Sequence, residues 1–204
     1  AFMLLLTYRF GLRGKEAAGL MRPDWVTTEG GPVVVHVRSN RLRVLKTNAS
    51  RRQVPLLFKL TDHEQKIIER FTALWHGISG SDEKVPLFCN PARPLDTLDD
   101  VKIRSDLGRL IKQVSCNQNL SLHHARHTFA NLVARLLLND AGGCWDHVAT
   151  TPVDEQHSKH VRSLRLSCVY VTRRSSCALA RLLGLANPHT SFRCFIDLFT
   201  DIYT

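Results

Sequence analysis

The chain has 204 residues and a formal net charge of +10, because 28 lysine and arginine residues outnumber 18 aspartate and glutamate residues. Its hydrophobic fraction of 44% can form an ordinary core and argues against intrinsic disorder, and the length suits one domain. No apolar run reaches the ~18 residues that a membrane span needs. The opening AFMLLL lacks the basic flank and cleavage site of a signal peptide and has the pattern of a helix cut in the middle. Because the first methionine is Met3, we expect a piece of a longer protein.

Positive charge is concentrated near the N-terminal end of the chain. Residues 1–60 hold 11 basic and 3 acidic side chains, and 20 of the 28 basic residues are arginine. Arginine makes planar two-point contacts with phosphate oxygens, so this bias favours nucleic acid as the partner. A basic ribosomal or membrane-surface protein would carry the same total charge, and charge alone leaves these classes open.

The first half of the chain combines helical and strand patterns. LLLTYRF has helical apolar spacing that ends at Gly11, and a second short helix, KEAAGLM, runs to Pro23. Three β-rich runs follow, VVVHVR, RLRVLK and RRQVPLL, and predict a small antiparallel sheet. Thr61 and Glu64 form a capping-box pattern, so we expect an amphipathic helix over 61–78.

The second half is mainly helical. Proline-bearing residues 85–95 are expected to be a connector, and 139–172 a loop-rich elaboration. Helical patterns recur at residues 107–114, 124–137, 173–184 and 188–200. The first two are predicted to face the core. The predicted fold class is therefore α/β, mainly α-helical, with a small three-stranded antiparallel sheet.

The cysteine and histidine spacing predicts no metal site or cofactor. The six cysteines form no C-x-x-C pair. His123 and His127 lie one helical turn apart, but no glutamate stands between them and the intervening Arg126 would repel a cation. A reduced, cytosolic chain is the interpretation that fits these cysteines.

Three short motifs follow one another in an informative order. G-L-R-G-K-E holds Arg13 at a helix join, R-V-L-K-T with R-R-Q-V-P-L after it holds Lys46 at a hairpin, and H-H-A-R-H-T-F-A holds His123 and Arg126. Each residue alone is more simply explained as a structural or solvated side chain. Together, with L-L-G-L-A-N-P-H-T-S-F-R-C-F near the C-terminal end, they resemble the catalytic domain of the tyrosine recombinases, the phage integrase family.

The resemblance implies a role for each motif residue. Arg13 and Arg126 would grip the non-bridging oxygens of a DNA phosphate. Lys46 would supply a proton to the departing 5′ oxygen, and His123 would hydrogen-bond the phosphate or help take the proton of the nucleophile. A tyrosine of the family attacks phosphorus and forms a 3′-phosphotyrosyl bond, so strands are rejoined without ATP or any cofactor.

The resemblance also implies partners and a setting. Double-stranded DNA would be bound, with Arg51, Arg52 and His127 as further contacts, although a solvated hairpin explains Arg51 and Arg52 nearly as well. Residues 1–204 would form one catalytic domain, preceded by a core-binding domain that lies outside this chain. Four protomers would assemble on DNA in the cytoplasm of a prokaryote, associated with the nucleoid.

The sequence departs from the family pattern at two positions. Leu185 stands where the family has a His or Trp that hydrogen-bonds the phosphate, and Phe195 stands where the nucleophilic tyrosine is expected. A phenyl ring has no hydroxyl, so cleavage should be abolished. Tyr203 lies eight residues beyond that position.

These departures leave several hypotheses open. Phe195 is either an engineered trap or part of a C-terminal motif that has decayed naturally, and the second change at Leu185 favours decay. The chain is then a site-specific recombinase domain that has lost cleavage, a recombinase fold kept for DNA binding or regulation, or a relative of the type IB topoisomerases.

Overall fold

The computed structural model describes residues 1–27, 33–45, 47–79, 84–138 and 173–186. Its helices are α1 (Phe2–Arg9), α2 (Gly14–Ala18), α3 (Asp62–Ser79), α4 (Asp100–Ser115), α5 (Leu122–Leu138) and α6 (Arg173–Leu183). Its strands are β1 (Trp25–Val26), β2 (Val34–Val37), β3 (Arg52–Pro55), β4 (Cys89–Asn90) and β5 (Arg93–Thr97). The predicted loop-rich segment 139–172 and the predicted helix 188–200 lie outside the described residues.

A three-stranded antiparallel sheet is present, in the order β1-β2-β3. Trp25 pairs with Val35 in β2, and Val35 pairs in turn with Val54 in β3. The predicted mixed fold with a small sheet is therefore confirmed. The prediction was wrong about one member, because the described part of the run RLRVLK, residues 41–45, forms no strand and β1 takes its place.

The contacts of the 40–45 segment explain why it is not a strand. Arg43 is buried and donates hydrogen bonds to the backbone oxygens of Glu16 and of Arg38, the latter over 2.6 Å. Its neighbour Val44 is 89% exposed. A strand pairs with a separate neighbouring strand, whereas here the Asn40 amide donates to the Arg43 carbonyl over 2.9 Å and the Arg43 amide donates to the Asn40 carbonyl over 3.2 Å, so the backbone pairs with itself in a turn.

Helix α3 begins as its sequence predicts. The Thr61 amide donates to Glu64 Oε2 over 2.9 Å, and the Glu64 amide donates to Thr61 Oγ1 over 3.3 Å, which is a reciprocal capping box. Arg9 at the end of α1 donates to both oxygens of the same carboxylate over 2.7 and 2.8 Å. The capping glutamate therefore also joins α1 to α3.

Two predictions about the middle of the chain need correction. The expected connector at 85–95 includes part of an antiparallel hairpin of β4 and β5. Helix α4 buries Leu107, but Leu110 and Val114 are 49% and 78% exposed and so do not face the core. A peripheral helix covers the core with a narrow stripe, and these two residues lie outside that stripe.

The core is built around α1, most of whose side chains are buried and which packs against α5. Phe58 and Phe129 meet edge to face with ring centroids 6.1 Å apart. The largest fully buried side chains are Phe10, Phe129, Leu6, Leu12, Leu20, Leu57, Val35, Val37, Val54, Val85 and Val133. Within the described ranges, no helix combines the length and apolar character needed to cross a membrane.

Candidate functional site

The join between α1 and α2 requires a glycine and is packed directly on α5. Gly11 has a φ of +60°, and a Cβ atom there would lie 2.2 Å from Cδ1 of Phe129. Only glycine tolerates both the left-handed backbone and this approach. The Gly11 carbonyl accepts a hydrogen bond of 2.7 Å from Nη1 of Arg126. Two motifs that are 115 residues apart in the chain thus meet at one peptide group.

Glu16 is the residue on which the arginines of the site converge. Its carboxylate accepts hydrogen bonds of 2.8 Å from the Arg13 amide and from Arg13 Nη1. Arg52 donates to the same carboxylate from Nη1 over 3.1 Å and from Nη2 over 2.8 Å. Arg126 Nη1 lies 3.6 Å from Glu16 Oε2. Three guanidinium groups therefore surround one carboxylate, which leaves the cluster with excess positive charge.

The protonation of Glu16 follows from this arrangement. Burial by itself would raise the pKa of its carboxyl, but the hydrogen bonds and charge of Arg52 outweigh burial, and Arg13 adds to their effect. The pKa falls from the ordinary 4.5 to about 2. Glu16 is therefore ionised at any physiological pH and acts as a fixed negative charge between the arginines.

The three arginines differ in how far solvent reaches them. The side chain of Arg13 is 40% exposed, whereas those of Arg126 and Arg52 are 8% and 5% exposed. An incoming anion would therefore meet Arg13 first. Arg126 and Arg52 lie behind it, where the low dielectric strengthens the effect of their charge.

Helix α6 ends against this cluster in a Schellman motif. The Leu185 amide donates to the carbonyl of Ala180 over 2.8 Å, and the Gly184 amide donates to that of Arg181 over 3.0 Å. Gly184 has a φ of +62°, as the residue after such a helix end commonly does. The motif leaves the carbonyls of the last two helical residues without an intrahelical donor.

Arginine side chains satisfy both of these carbonyls. Arg52 Nε donates to the oxygen of Leu182 over 2.8 Å. Arg126 Nη2 donates to the oxygen of Leu183. Cations at the C-terminal end of a helix also interact favourably with its dipole. The end of α6 is thus attached to two of the three arginines that border Glu16.

Three histidines lie on the first turns of α5, next to Arg126. The rings of His123 and His127 meet edge to face with centroids 4.5 Å apart. His124 holds the helix start, because its Nδ1 accepts a hydrogen bond of 3.1 Å from the Ser121 amide. Burial lowers the pKa of His123 and of His127, and the positive charge of Arg126 lowers both further. The two rings therefore favour their neutral form.

The structure brings together some of the residues that the sequence analysis selected. Arg13 and Arg126 share Glu16, His123 lies one turn before Arg126, and Leu185 follows the end of α6 and packs against the core. Lys46 and Phe195 lie outside the described residues.

The predicted DNA contacts differ from one another in exposure. Arg51 is exposed and His127 is partly buried. Arg52 is not presented at the surface as the prediction of a DNA contact requires, because its side chain is buried against Glu16 and α6.

Sequence reasoning missed the central positions of Glu16 and Arg52. Glu16 entered only as a motif neighbour of Arg13, and Arg52 only as a basic residue on a hairpin. The capping-box spacing of Arg13 and Glu16 was a usable local signal for the first. No local signal marks the second, because its partners on α2 and α6 lie 36 and 130 residues away. Among the described residues, no group of three or more His, Cys, Asp or Glu side chains could hold a metal ion.

Comparison with known proteins finds similarity in structure only. No family model matches the chain, and no curated protein matches its sequence. Among solved structures, the XerH site-specific recombinase bound to palindromic difH substrate in a post-cleavage complex matches with a TM-score of 0.56 and 16% identity, over 96% of this chain and 41% of that chain.

Two further structures agree with this match. The XerA recombinase matches with a TM-score of 0.54 and 17% identity, over 98% of this chain and 55% of that one. The Tn1549 transposon integrase in complex with transposon right end DNA matches with a TM-score of 0.54 and 16% identity, over 94% and 52%. The chain thus spans about half the length of these proteins, and it has the fold of the tyrosine recombinase catalytic domain.

Proposed function

We propose that this chain, which has the fold of a tyrosine recombinase catalytic domain, binds double-stranded DNA as a domain of a site-specific recombinase or integrase. One observation carries the proposal: Arg13 and Arg126, which the family motifs select independently, border the same buried carboxylate of Glu16. Two arginines with unrelated roles would not be expected to border the same carboxylate. The excess positive charge of the cluster suits a phosphodiester.

The arginines have different tasks in this proposal. Arg13 contacts a non-bridging oxygen of the phosphate, since it is the most exposed of the three guanidinium groups around Glu16. Arg126 holds the site together through the carbonyls of Gly11 and Leu183, and its charge adds to the attraction. Glu16 keeps the guanidinium groups oriented before DNA arrives, which reduces the ordering that binding requires.

Strand cleavage would need further groups. In the family mechanism a tyrosine oxygen attacks phosphorus, the bond to the 5′ oxygen breaks, and that oxygen takes a proton, for which Lys46 is the candidate. His123, which favours its neutral form, is able to accept a hydrogen bond or a proton at this site. Phe195 has no nucleophilic oxygen. We therefore propose that the chain as written binds DNA without cleaving it.

A second candidate is a recombinase fold kept for DNA binding or regulation. Leu185 favours it, because this side chain packs against the core at the position where the family has a phosphate ligand. The proposal also extends to the whole protein. We expect a preceding core-binding domain, a tetramer on DNA, and a place with the nucleoid in the prokaryotic cytoplasm.

DNA binding is tested by fluorescence anisotropy with a labelled duplex over a range of salt concentrations. We expect affinity to fall steeply with added salt, and Arg13→Ala to weaken binding about tenfold and reduce the slope of log K against log salt by about 1. Arg109→Ala is the matched control, since Arg109 is an exposed helical arginine that forms a surface ion pair with Asp106. Salt-independent binding, or equal losses for the two variants, would contradict the proposal.

Strand cleavage is tested by placing a tyrosine nucleophile at position 195. Phe195→Tyr, alone and together with Leu185→His, should form a covalent protein–DNA adduct on duplexes carrying a site of the recombinase type. If the variants instead relax a supercoiled plasmid without joining sites, the topoisomerase alternative is correct. If they bind DNA and form no adduct, the chain is a binding module.

A further inference from the structure

Arg52 makes more hydrogen bonds than a surface contact would need. Its Nε donates to the Leu182 carbonyl, its Nη1 donates to Glu16 Oε1 and to the Ser50 carbonyl over 3.1 and 3.0 Å, and its Nη2 donates to Glu16 Oε2. These acceptors belong to α6, to α2 and to the turn before β3. The planar fork of a guanidinium matches this set, and an ammonium does not.

The residue that follows α6 is a glycine, which leaves room for the Arg52 side chain. A Cβ atom on Gly184 would lie 2.5 Å from Nη1 and 3.0 Å from Cζ of Arg52. Gly184 also has the left-handed φ that ends the helix. One glycine therefore serves two purposes, since it terminates α6 and leaves room for the guanidinium to reach Glu16.

We infer that Arg52 is a positioning residue for the phosphate-binding arginines Arg13 and Arg126, because it fixes the C-terminal end of α6 to the Glu16 carboxylate. Arg126 binds the next carbonyl of α6, at Leu183, so the place of that helix end also sets the place of Arg126. The inference rests on the proposed function for its link to DNA. Its structural part, the attachment of α6 to Glu16, is measurable without DNA.

The charge-conserving substitution Arg52→Lys separates this role from a direct DNA contact. A lysine keeps the positive charge, so an arginine that only attracts phosphate would lose about threefold in affinity or less. A positioning arginine would lose most of its hydrogen bonds to Glu16, Leu182 and Ser50. We therefore expect Arg52→Lys to weaken duplex binding about tenfold or more, a loss of the order that follows when buried polar groups lose their partners.

The affinity is measured at a temperature where circular dichroism shows each variant fully folded, with Arg109→Lys as the matched control. Arg109 is exposed on α4 and forms a surface ion pair with Asp106, so its replacement should change affinity less than twofold, as is usual for such pairs. If Arg52→Lys binds DNA as tightly as Arg109→Lys, the inference is overturned.

Hydrogen exchange in the DNA-free protein provides the second measurement. The amides of Gly184 and Leu185 donate the two hydrogen bonds of the Schellman motif. In Arg52→Lys they should exchange about tenfold faster, while amides in the middle of α3 keep the protection of the wild-type protein. Unchanged protection at Gly184 and Leu185 would overturn the inference, whatever the protein does with DNA.

Gly184→Ala disturbs the same contact from the other side and replaces Arg52→Lys if that variant does not fold. Its methyl group would displace the Arg52 guanidinium, so the weaker binding should recur. Gly108→Ala is the control, because a methyl group at Gly108 meets nothing within 4 Å. A wild-type protein that binds no DNA refutes the proposed function alone, and the exchange measurement still decides the role of Arg52.

Discussion

Neutralising Glu16 should cost a large part of the stability of the fold, and the cost should depend on pH. In the folded protein the pKa of this carboxyl is about 2, against an ordinary value of 4.5. The difference corresponds to about 3 kcal/mol of stability at neutral pH, since a pKa difference of one between the folded and unfolded states is worth about 1.4 kcal/mol. Glu16→Gln removes this contribution and leaves the buried guanidinium groups without a counter-charge, for which a loss of about 3 to 5 kcal/mol is typical.

The pH dependence distinguishes this cause from a simple packing defect. A carboxyl whose pKa is lowered by folding stabilises the protein above its unfolded pKa, and this stabilisation is lost as the pH falls from about 4.5 towards 2. The free energies of unfolding of the wild-type protein and Glu16→Gln should therefore approach each other as the pH is lowered. Urea denaturation at several values between pH 7 and pH 3 measures the difference. Urea is preferable to guanidinium chloride because it adds no ionic screening.

An exposed glutamate serves as the control for this measurement. Glu69 lies on the outer face of α3 and accepts a hydrogen bond from Gln65. Its replacement by glutamine should change stability by about 0.5 kcal/mol or less. The reasoning about Glu16 is refuted if Glu16→Gln costs no more than Glu69→Gln, or if its cost stays constant over the whole pH range.

Two further predictions concern the join and the histidines. Gly11→Ala should destabilise the fold by about 2 to 5 kcal/mol, because alanine strains the left-handed backbone and its methyl group clashes with Phe129. Gly108→Ala should instead stabilise the fold by up to about 1 kcal/mol. Thermal denaturation of the two variants tests this, and similar melting temperatures would contradict it. The His123 imidazole should titrate below 6.5 in an NMR experiment, so its neutral ring supports stability above that pH and loses this effect as the pH falls. Arg13→Ala should raise the pKa of His123, because the Arg13 charge is one of those that lower it, and an unchanged or lower value would be inconsistent with this geometry.

The adjacent arginines 51 and 52 show what a sequence pattern can and cannot predict. The strand that begins at Arg52, directly after Arg51, was predicted, because alternation and β-branched residues are local signals. Their different environments were not predicted, since Arg51 is exposed and the side chain of Arg52 is buried. What decides between them is a carboxylate on α2 and a helix end in α6 that only the folded chain brings near.

The predictions for the run RLRVLK and for the core-facing side of helix α4 were wrong for a related reason. Valine and leucine in alternation predict a strand, but the buried guanidinium of Arg43, bonded to the backbone of α2, holds this segment in a different conformation. Leu110 and Val114 have helical spacing, and helix α4 is present as predicted. Which face of that helix is covered depends on where its neighbours lie, and the spacing of apolar residues does not contain this information.

The motif arginines lie close together in the structure, and their role in binding DNA stays a prediction. Gly11, Arg13 and Arg126 were chosen from short patterns, and the structure joins all three through hydrogen bonds or ion pairs. Motifs of this kind preserve residues that must meet in space. They do not indicate the supporting residues around them, so the contribution of Arg52 is seen only in the folded structure.

The attachment of α6 through its backbone carbonyls has an evolutionary consequence. Arg52 and Arg126 bind oxygens of peptide groups, and every amino acid supplies such an oxygen. Side chains at the end of this helix and beyond it can therefore change over generations while the helix keeps its place, provided that Gly184 is retained. Replacing Leu185 therefore leaves both carbonyl hydrogen bonds of α6 available, so the place of this helix end does not depend on the chemistry of the side chain that follows Gly184.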